Sequence, residues 1–159
     1  MLQVSTVEKR SSKENTMIKT FRGLLADGAQ IKINLSTNQG MIGYRINKLQ
    51  ILPKRPFAES AEHVVKVFSV EQDSVDAEIN FDSPTLLAAT VINNHSSGYD
   101  TPLVPTIIID DVKVNQDIYI THSETQATED CNYYLELERV KLDLNEATVA
   151  TLKDMRGSE

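Results

Sequence analysis

Three histidines, one cysteine and a single His-x-Glu triplet are the residues with which this chain could do chemistry. His63, His95 and His122 carry imidazoles that can ligate a metal or move a proton near neutral pH, and Glu124 adds a carboxylate two residues beyond His122. Metal sites inside β-sandwiches usually draw two histidines placed two apart on one strand, followed by a glutamate. Here the three imidazoles are scattered along the chain, so isolated surface or core histidines and no metal are expected. His122-Ser123-Glu124 matches half of the zinc deaminase signature, in which the histidine ligates and the glutamate moves protons. The P-C-x-x-C half is missing, and Cys131 is the only cysteine.

That lone thiol excludes an intramolecular disulfide, a thiol zinc cluster and a redox pair. It heads an alternating strand, where a small buried hydrophobe is the expected role and a reactive thiol the alternative. No G-x-S-x-G elbow, H-E-x-x-H helix or G-x-x-x-x-G-K-[ST] loop occurs, so hydrolase, metalloprotease and nucleotide-binding readings lose their usual anchors. The acidic groups Glu71, Asp73, Asp76, Glu78, Asp110 and Asp111 lack the glycine-pivoted spacing of a calcium loop and read as solvated turns. Aromatic residues are sparse and tryptophan is absent, which weakens a sugar-platform reading. Tyr99 is the best single candidate for one, beside His95 and the later His122 and Glu124.

The elements that must position these residues read mostly as strands. Val, Ile and Thr make up about a quarter of the 159 residues, and branched side chains suit a pleated, half-buried surface. Residues 18–25 and 29–35 flank Asp27-Gly28, a turn pair favoured in tight hairpins, which predicts a first hairpin. Apolar positions Ile42, Tyr44 and Ile46 give way to Leu49 and Ile51, so the phase slips near Asn47-Lys48 and a bulge is expected there. Pro53 and Pro56 close that segment. Residues 62–70 are apolar in both phases, as for a strand covered on both sides, and 86–92 are similar. Asn93 to Gly98 is dense in turn formers. Residues 103–109 and one or two strands within 112–120 follow. Cys131, Tyr133, Leu135 and Leu137 then alternate before a second phase change toward Val140, Leu142 and Leu144. Asp143-Leu144-Asn145-Glu146 has the spacing of a capping box that opens a short amphipathic helix ending before Gly157.

About eight strands with turn chemistry between them and one C-terminal helix predict an all-β, antiparallel two-sheet sandwich of jelly-roll type. Residues 1–16 are polar and without sustained periodicity, and read either as an arm outside the domain or as the product of an upstream start; residues 17–159 read as the single domain. The net charge of −7 disfavours nucleic acid and anionic membranes as partners. The basic cluster of Arg45, Lys48, Lys54 and Arg55 reads as a solvated edge and turn. No apolar run reaches the ~20 residues of a membrane helix, and the first residues lack a secretory apolar stretch.

At MIKTFRGLLADG (17–28), GYRINKLQILP (43–53), NQDIYITHSE (115–124) and CNYYLELERVKLDLNEATVATLKDMR (131–156) the chain resembles small virion structural proteins of tailed phages, notably marine and cyanobacterial ones. It looks like their β-rich capsid decoration, or cement, proteins. Similar sequences begin at the position of Met17, so residues 1–16 depart from the pattern. The resemblance implies a non-enzymatic, cofactor-free homo-oligomer that is made in the host cytoplasm. It would bind the major capsid protein or other virion proteins on the capsid surface in many copies. Two other classes stand beside it: a receptor- or glycan-binding knob or head-fibre module using loops 93–101 and 121–130, and, more distantly, a cupin-like metal-dependent enzyme.

Overall fold

The computed structural model describes residues 3–5, 17–35, 41–56, 60–94, 106–126 and 128–157. Its strands are β1 (Gln3–Ser5), β2 (Ile18–Leu25), β3 (Gln30–Ile33), β4 (Ile42–Pro53), β5 (Ala61–Phe68), β6 (Leu86–Asn94), β7 (Thr106–Ile109), β8 (Lys113–Val114), β9 (Ile118–Glu124) and β10 (Cys131–Lys141), followed by helix α1 (Leu144–Gly157). They form two sheets with strand orders β1-β2-β10-β4-β8 and β3-β9-β5-β6-β7, and all the pairings are antiparallel.

With the edge strands β1 and β7 set aside, eight strands remain in four nested pairs: β2 with β10, β3 with β9, β4 with β8 and β5 with β6. Such nesting is one long antiparallel hairpin rolled over itself, which is the jelly roll. The all-β, two-sheet expectation is met in the described residues, together with the single C-terminal helix.

The local reading needs one clear correction. Residues 18–25 and 30–33 do not pair with each other: β2 lies in one sheet and β3 in the other. Asp27-Gly28 therefore turns the chain across the sandwich instead of closing a hairpin. Gly28 does take the left-handed conformation expected of it, with φ 75°. Alternation fixed both strands correctly but cannot say which partner each one takes.

Of the two phase changes expected, the one in β4 is a bulge, whereas the pairing of β10 runs without a slip from Leu137 to Lys141. The β4–β10 register runs Leu49↔Leu135, Lys48↔Glu136 and then Ile46↔Leu137, leaving Asn47 as the extra residue of a bulge. Its amide donates to Glu136 at 2.5 Å. The bulge lets Tyr44 and Ile46 on one side and Leu49 and Ile51 on the other all reach the core.

Inward-facing side chains fill the space between the sheets. Val65 and Val67 of β5, Ile118 and Ile120 of β9, and Cys131, Tyr133, Leu135 and Leu137 of β10 belong to one buried cluster. The sheets differ on their outer faces. Over the β5 sheet, segment 69–85 loops out and returns, its neck closed by Ser69 N–H donating to Thr85 O at 2.9 Å. The segment is pinned from below by the buried Lys66 ammonium, which reaches Asp76 Oδ1 at 2.8 Å and the Glu78 carbonyl at 2.6 Å. This cover explains why β5 is apolar in both phases. The outer face of the β10 sheet has no comparable cover among the described residues, and Leu24 and Leu52, both registered to Asn132, are about half exposed there.

Helix α1 begins as the sequence predicts. Asp143 Oδ1 accepts from Glu146 N–H at 2.8 Å and Glu146 Oε2 accepts from Asp143 N–H at 3.0 Å, a reciprocal capping box. Its apolar side chains are less sheltered than an amphipathic reading implies: Leu144, Val149, Leu152 and Met155 are all exposed. The helix docks instead through Ala147 and Thr151, where Asn115 Nδ2 donates to the Ala147 carbonyl and Thr151 Oγ1. At the other terminus, Gln3–Ser5 pairs with β2, so three residues of the expected arm belong to a sheet edge. Residues 6–16 lie outside the described residues. No described helix is long and apolar enough to cross a membrane.

Candidate functional site

The residues singled out in the sequence fare differently in the fold. His95 and Tyr99 lie outside the described residues. His122 and Glu124 are described, and both are buried on β9, because residues 121–124 complete that strand and do not form a binding loop. The ladder places them in phase with Ile118 and Ile120, facing the inter-sheet space. His63 occupies the equivalent inward position on β5, in phase with Val65 and Val67 and registered opposite Glu124. Cys131 opens β10 in the other sheet, in phase with Tyr133 and Leu135.

The result is a polar cluster at one end of an otherwise apolar interior. One nitrogen from each of His63 and His122 and the Cys131 sulfur all lie within 4.8 Å of one another, and each residue has 0 % exposure. The crossing turn after β2 caps this end. Gly28 N–H donates to the His122 carbonyl at 2.9 Å, His122 N–H donates to the Ala29 carbonyl at 3.0 Å, and Asp27 Oδ1 accepts from Glu124 N–H at 2.8 Å. The aspartate-glycine pair thus locks the turn onto the strand that carries the histidine.

Hydrogen bonding fixes the tautomers of the neutral rings. His122 Nδ1 stands 3.0 Å from the Ala26 carbonyl, which can only accept, so Nδ1 carries the proton and Nε2 presents a lone pair. That lone pair faces His63 Nδ1 at 3.0 Å, so His63 Nδ1 donates. His63 Nε2 is left as a lone pair, buried and without a hydrogen-bond partner. The rings stack with centroids 5.2 Å apart. Burial, and secondarily the neighbouring His122, holds the His63 imidazole below its ordinary range despite the opposing pull of Glu124. Burial also pushes the Cys131 thiol up to about 12, so at neutral pH it is a protonated, unreactive sulfhydryl. The buried-hydrophobe reading of Cys131 fits its place in the core cluster, with the imidazoles of His63 and His122 beside it.

Glu124 acts as a brace here. Its Oε1 accepts from Glu62 N–H at 2.9 Å and Gln126 N–H at 2.7 Å, joining β5, β9 and the turn that follows. Nothing in the sequence pairs His63 with His122 and Cys131, because the three belong to three strands in two sheets. The one usable signal is that His63 and His122 interrupt apolar alternation at inward positions.

The surface residues weighed as binding groups are paired. Arg45 Nη2 meets Glu138 Oε2 at 2.5 Å, Lys54 Nζ meets Asp130 Oδ2 at 2.9 Å and Arg55 pairs with Glu129, so most of the basic cluster is neutralised locally. A groove of about 390 Å³ beside β7 is lined by Phe81, Pro84, Leu86, Ala88, Ile108 and Asp110. Compared with protein-family models, curated proteins and solved structures, the chain has no match.

Proposed function

We propose that this protein is a non-enzymatic structural component of a virus particle, a decoration protein that binds the outer surface of a capsid in many copies. The observation that carries the reading is the asymmetry of the jelly roll. One sheet is roofed by the chain's own segment 69–85, whereas the other, among the described residues, presents a bare face with Leu24 and Leu52 exposed side by side at one end. Exposed Arg22, Gln50 and Lys48 follow on the same face along the strands, giving an apolar patch bordered by polar side chains that suits protein docking. The resemblance of residues 17–156 to phage decoration proteins supports the same reading. The histidine–cysteine cluster is sealed from solvent and so gives no substrate access to its chemistry. Symmetric repetition on a shell would turn modest affinity at each copy into firm retention.

The test is to incubate the purified protein with capsids that lack it and to measure co-sedimentation and heat resistance. Stoichiometric binding, a higher capsid melting temperature and loss of both in Leu24→Glu/Leu52→Glu are expected. The absence of binding by the folded wild-type protein would reject the proposal.

A further inference from the structure

We infer that His63, His122 and Cys131 form a buried site for one soft monovalent metal ion, copper(I). The inference is independent of the capsid reading and rests on the cluster itself. Two imidazoles and a thiol converge from three strands in a region where, Glu124 apart, the neighbouring inward positions are apolar.

The outer contacts are those of a metal site. Metal-ligating histidines donate their second ring N–H to a carbonyl or carboxylate, which fixes the tautomer and aims the other nitrogen. His122 does this, with Nδ1–H bound to the Ala26 carbonyl and Nε2 directed into the cluster. The Ala26 carbonyl is itself fixed by the crossing turn, since it accepts from Ala29 N–H at 3.1 Å. Two nitrogens each ~2 Å from one ion stand roughly 3 to 4 Å apart. The 3.0 Å between His63 Nδ1 and His122 Nε2 is therefore close to what a shared ion needs. His63 supplies Nδ1, whose proton passes to the unpartnered Nε2 of the same ring, so that the hydrogen bond to His122 is exchanged for the metal bond.

Charge and coordination number choose the ion. Binding deprotonates Cys131, so one proton leaves and one cation enters. With a monovalent ion the local charge is unchanged, whereas a divalent ion would add a positive charge where all three ligands have 0 % exposure. Closed zinc sites use four protein ligands in a tetrahedron. The cluster here has three, and the carboxylate nearest it in register, Glu124, has Oε1 committed to Glu62 and Gln126. A thiolate with two imidazoles in a three-coordinate arrangement is a copper donor set, and thiolate softness favours the reduced state.

The decisive experiment refolds the full chain from urea without oxygen in the presence of one equivalent of copper(I) or of zinc(II), followed by gel filtration against a competing chelator. One copper per chain should be retained, with a melting temperature several degrees above the metal-free protein, while zinc should be lost. X-ray absorption of the loaded wild-type protein should show one sulfur and two imidazole nitrogens around copper. Cys131→Ser should retain no copper while keeping the far-ultraviolet circular dichroism of the parent. Refolded wild-type protein without copper, equal zinc retention, or a copper shell lacking sulfur would each overturn the inference. The absorption measurement stands even if Cys131→Ser does not fold.

Discussion

Tyr133→Phe should make this protein more stable. The Tyr133 side chain is 3 % exposed, and its hydroxyl is buried without a hydrogen-bond partner. Gly23 sits directly beneath the ring: a Cβ there would lie 3.0 Å from Tyr133 Cε1 and 3.4 Å from its hydroxyl oxygen, so glycine makes room for the phenol without solvating it. Burial pushes the phenol up to about 12, in line with that isolation. A buried polar group without a partner costs about 1–3 kcal/mol, and removing it leaves only a void the size of one oxygen atom. The net gain should be about 1–2 kcal/mol, or roughly 3–6 °C in Tm for a chain of this length. Urea and thermal unfolding followed by circular dichroism would measure it, with an unchanged urea slope as the check that the unfolded state is the same. The alkaline limb offers a second readout. A native phenol held protonated contributes stability below the unfolded value of about 10, and this is lost as pH rises toward 12. Cys131 contributes a similar loss in both proteins, so the difference between them isolates Tyr133. A midpoint that is unchanged or lower in the variant would refute the reasoning and show that the hydroxyl has a partner.

Two further outcomes follow from buried charge. His63 is held neutral in the metal-free native state, whereas the unfolded chain takes up a proton near pH 6.5. Stability should therefore be full above about pH 6.5 and fall as acidification continues toward the depressed native value; urea midpoints that stay flat between pH 7 and 5 would contradict this. Asp76→Ala, which leaves the buried Lys66 ammonium with only the Glu78 carbonyl, should cost about 1–3 kcal/mol and speed proteolysis within residues 69–85. Lys66→Met, which removes the charge along with the need for a partner, should stay within about 1 kcal/mol of wild type by the same assays. The reverse ranking would show that the ion pair is not what holds the segment.

What could be read from the sequence was whatever is decided locally. Alternation placed β2, β4 and β10, the phase slip found the bulge at Asn47, and D-x-x-E spacing found the helix cap, because each depends on residues within a few positions of one another. Pairing could not be read in the same way. Asp27-Gly28 has the chemistry of a hairpin turn, and only the competing partners β10 and β9 send its two flanking strands to different sheets. The same limit hid the cluster. His122 and Glu124 looked like loop residues because Thr121, Ser123 and Thr125 surround them, yet the ladder with β5 buries both. His63 drew attention only as a member of a histidine trio with His95 and His122. Its actual neighbours, His122 and Cys131, come together only when the nested pairs roll up. The doubly apolar β5 signalled burial on both faces, but the loop that covers its outer side has no apolar period of its own.

The nesting of the strands also governs when the molecule can fold. Strand β10 occupies the middle of its sheet, between β2 and β4, although it is the last strand of the described chain. As the polypeptide leaves the ribosome, β2 and β4 emerge early and must wait with open edges until Cys131 to Lys141 has been made. The nascent protein is therefore most exposed to mispairing and aggregation until β10 has been made, and closure of that sheet waits for that strand. Long-range pairing of this kind also predicts maturation over milliseconds to seconds, with little gained from its early segments alone.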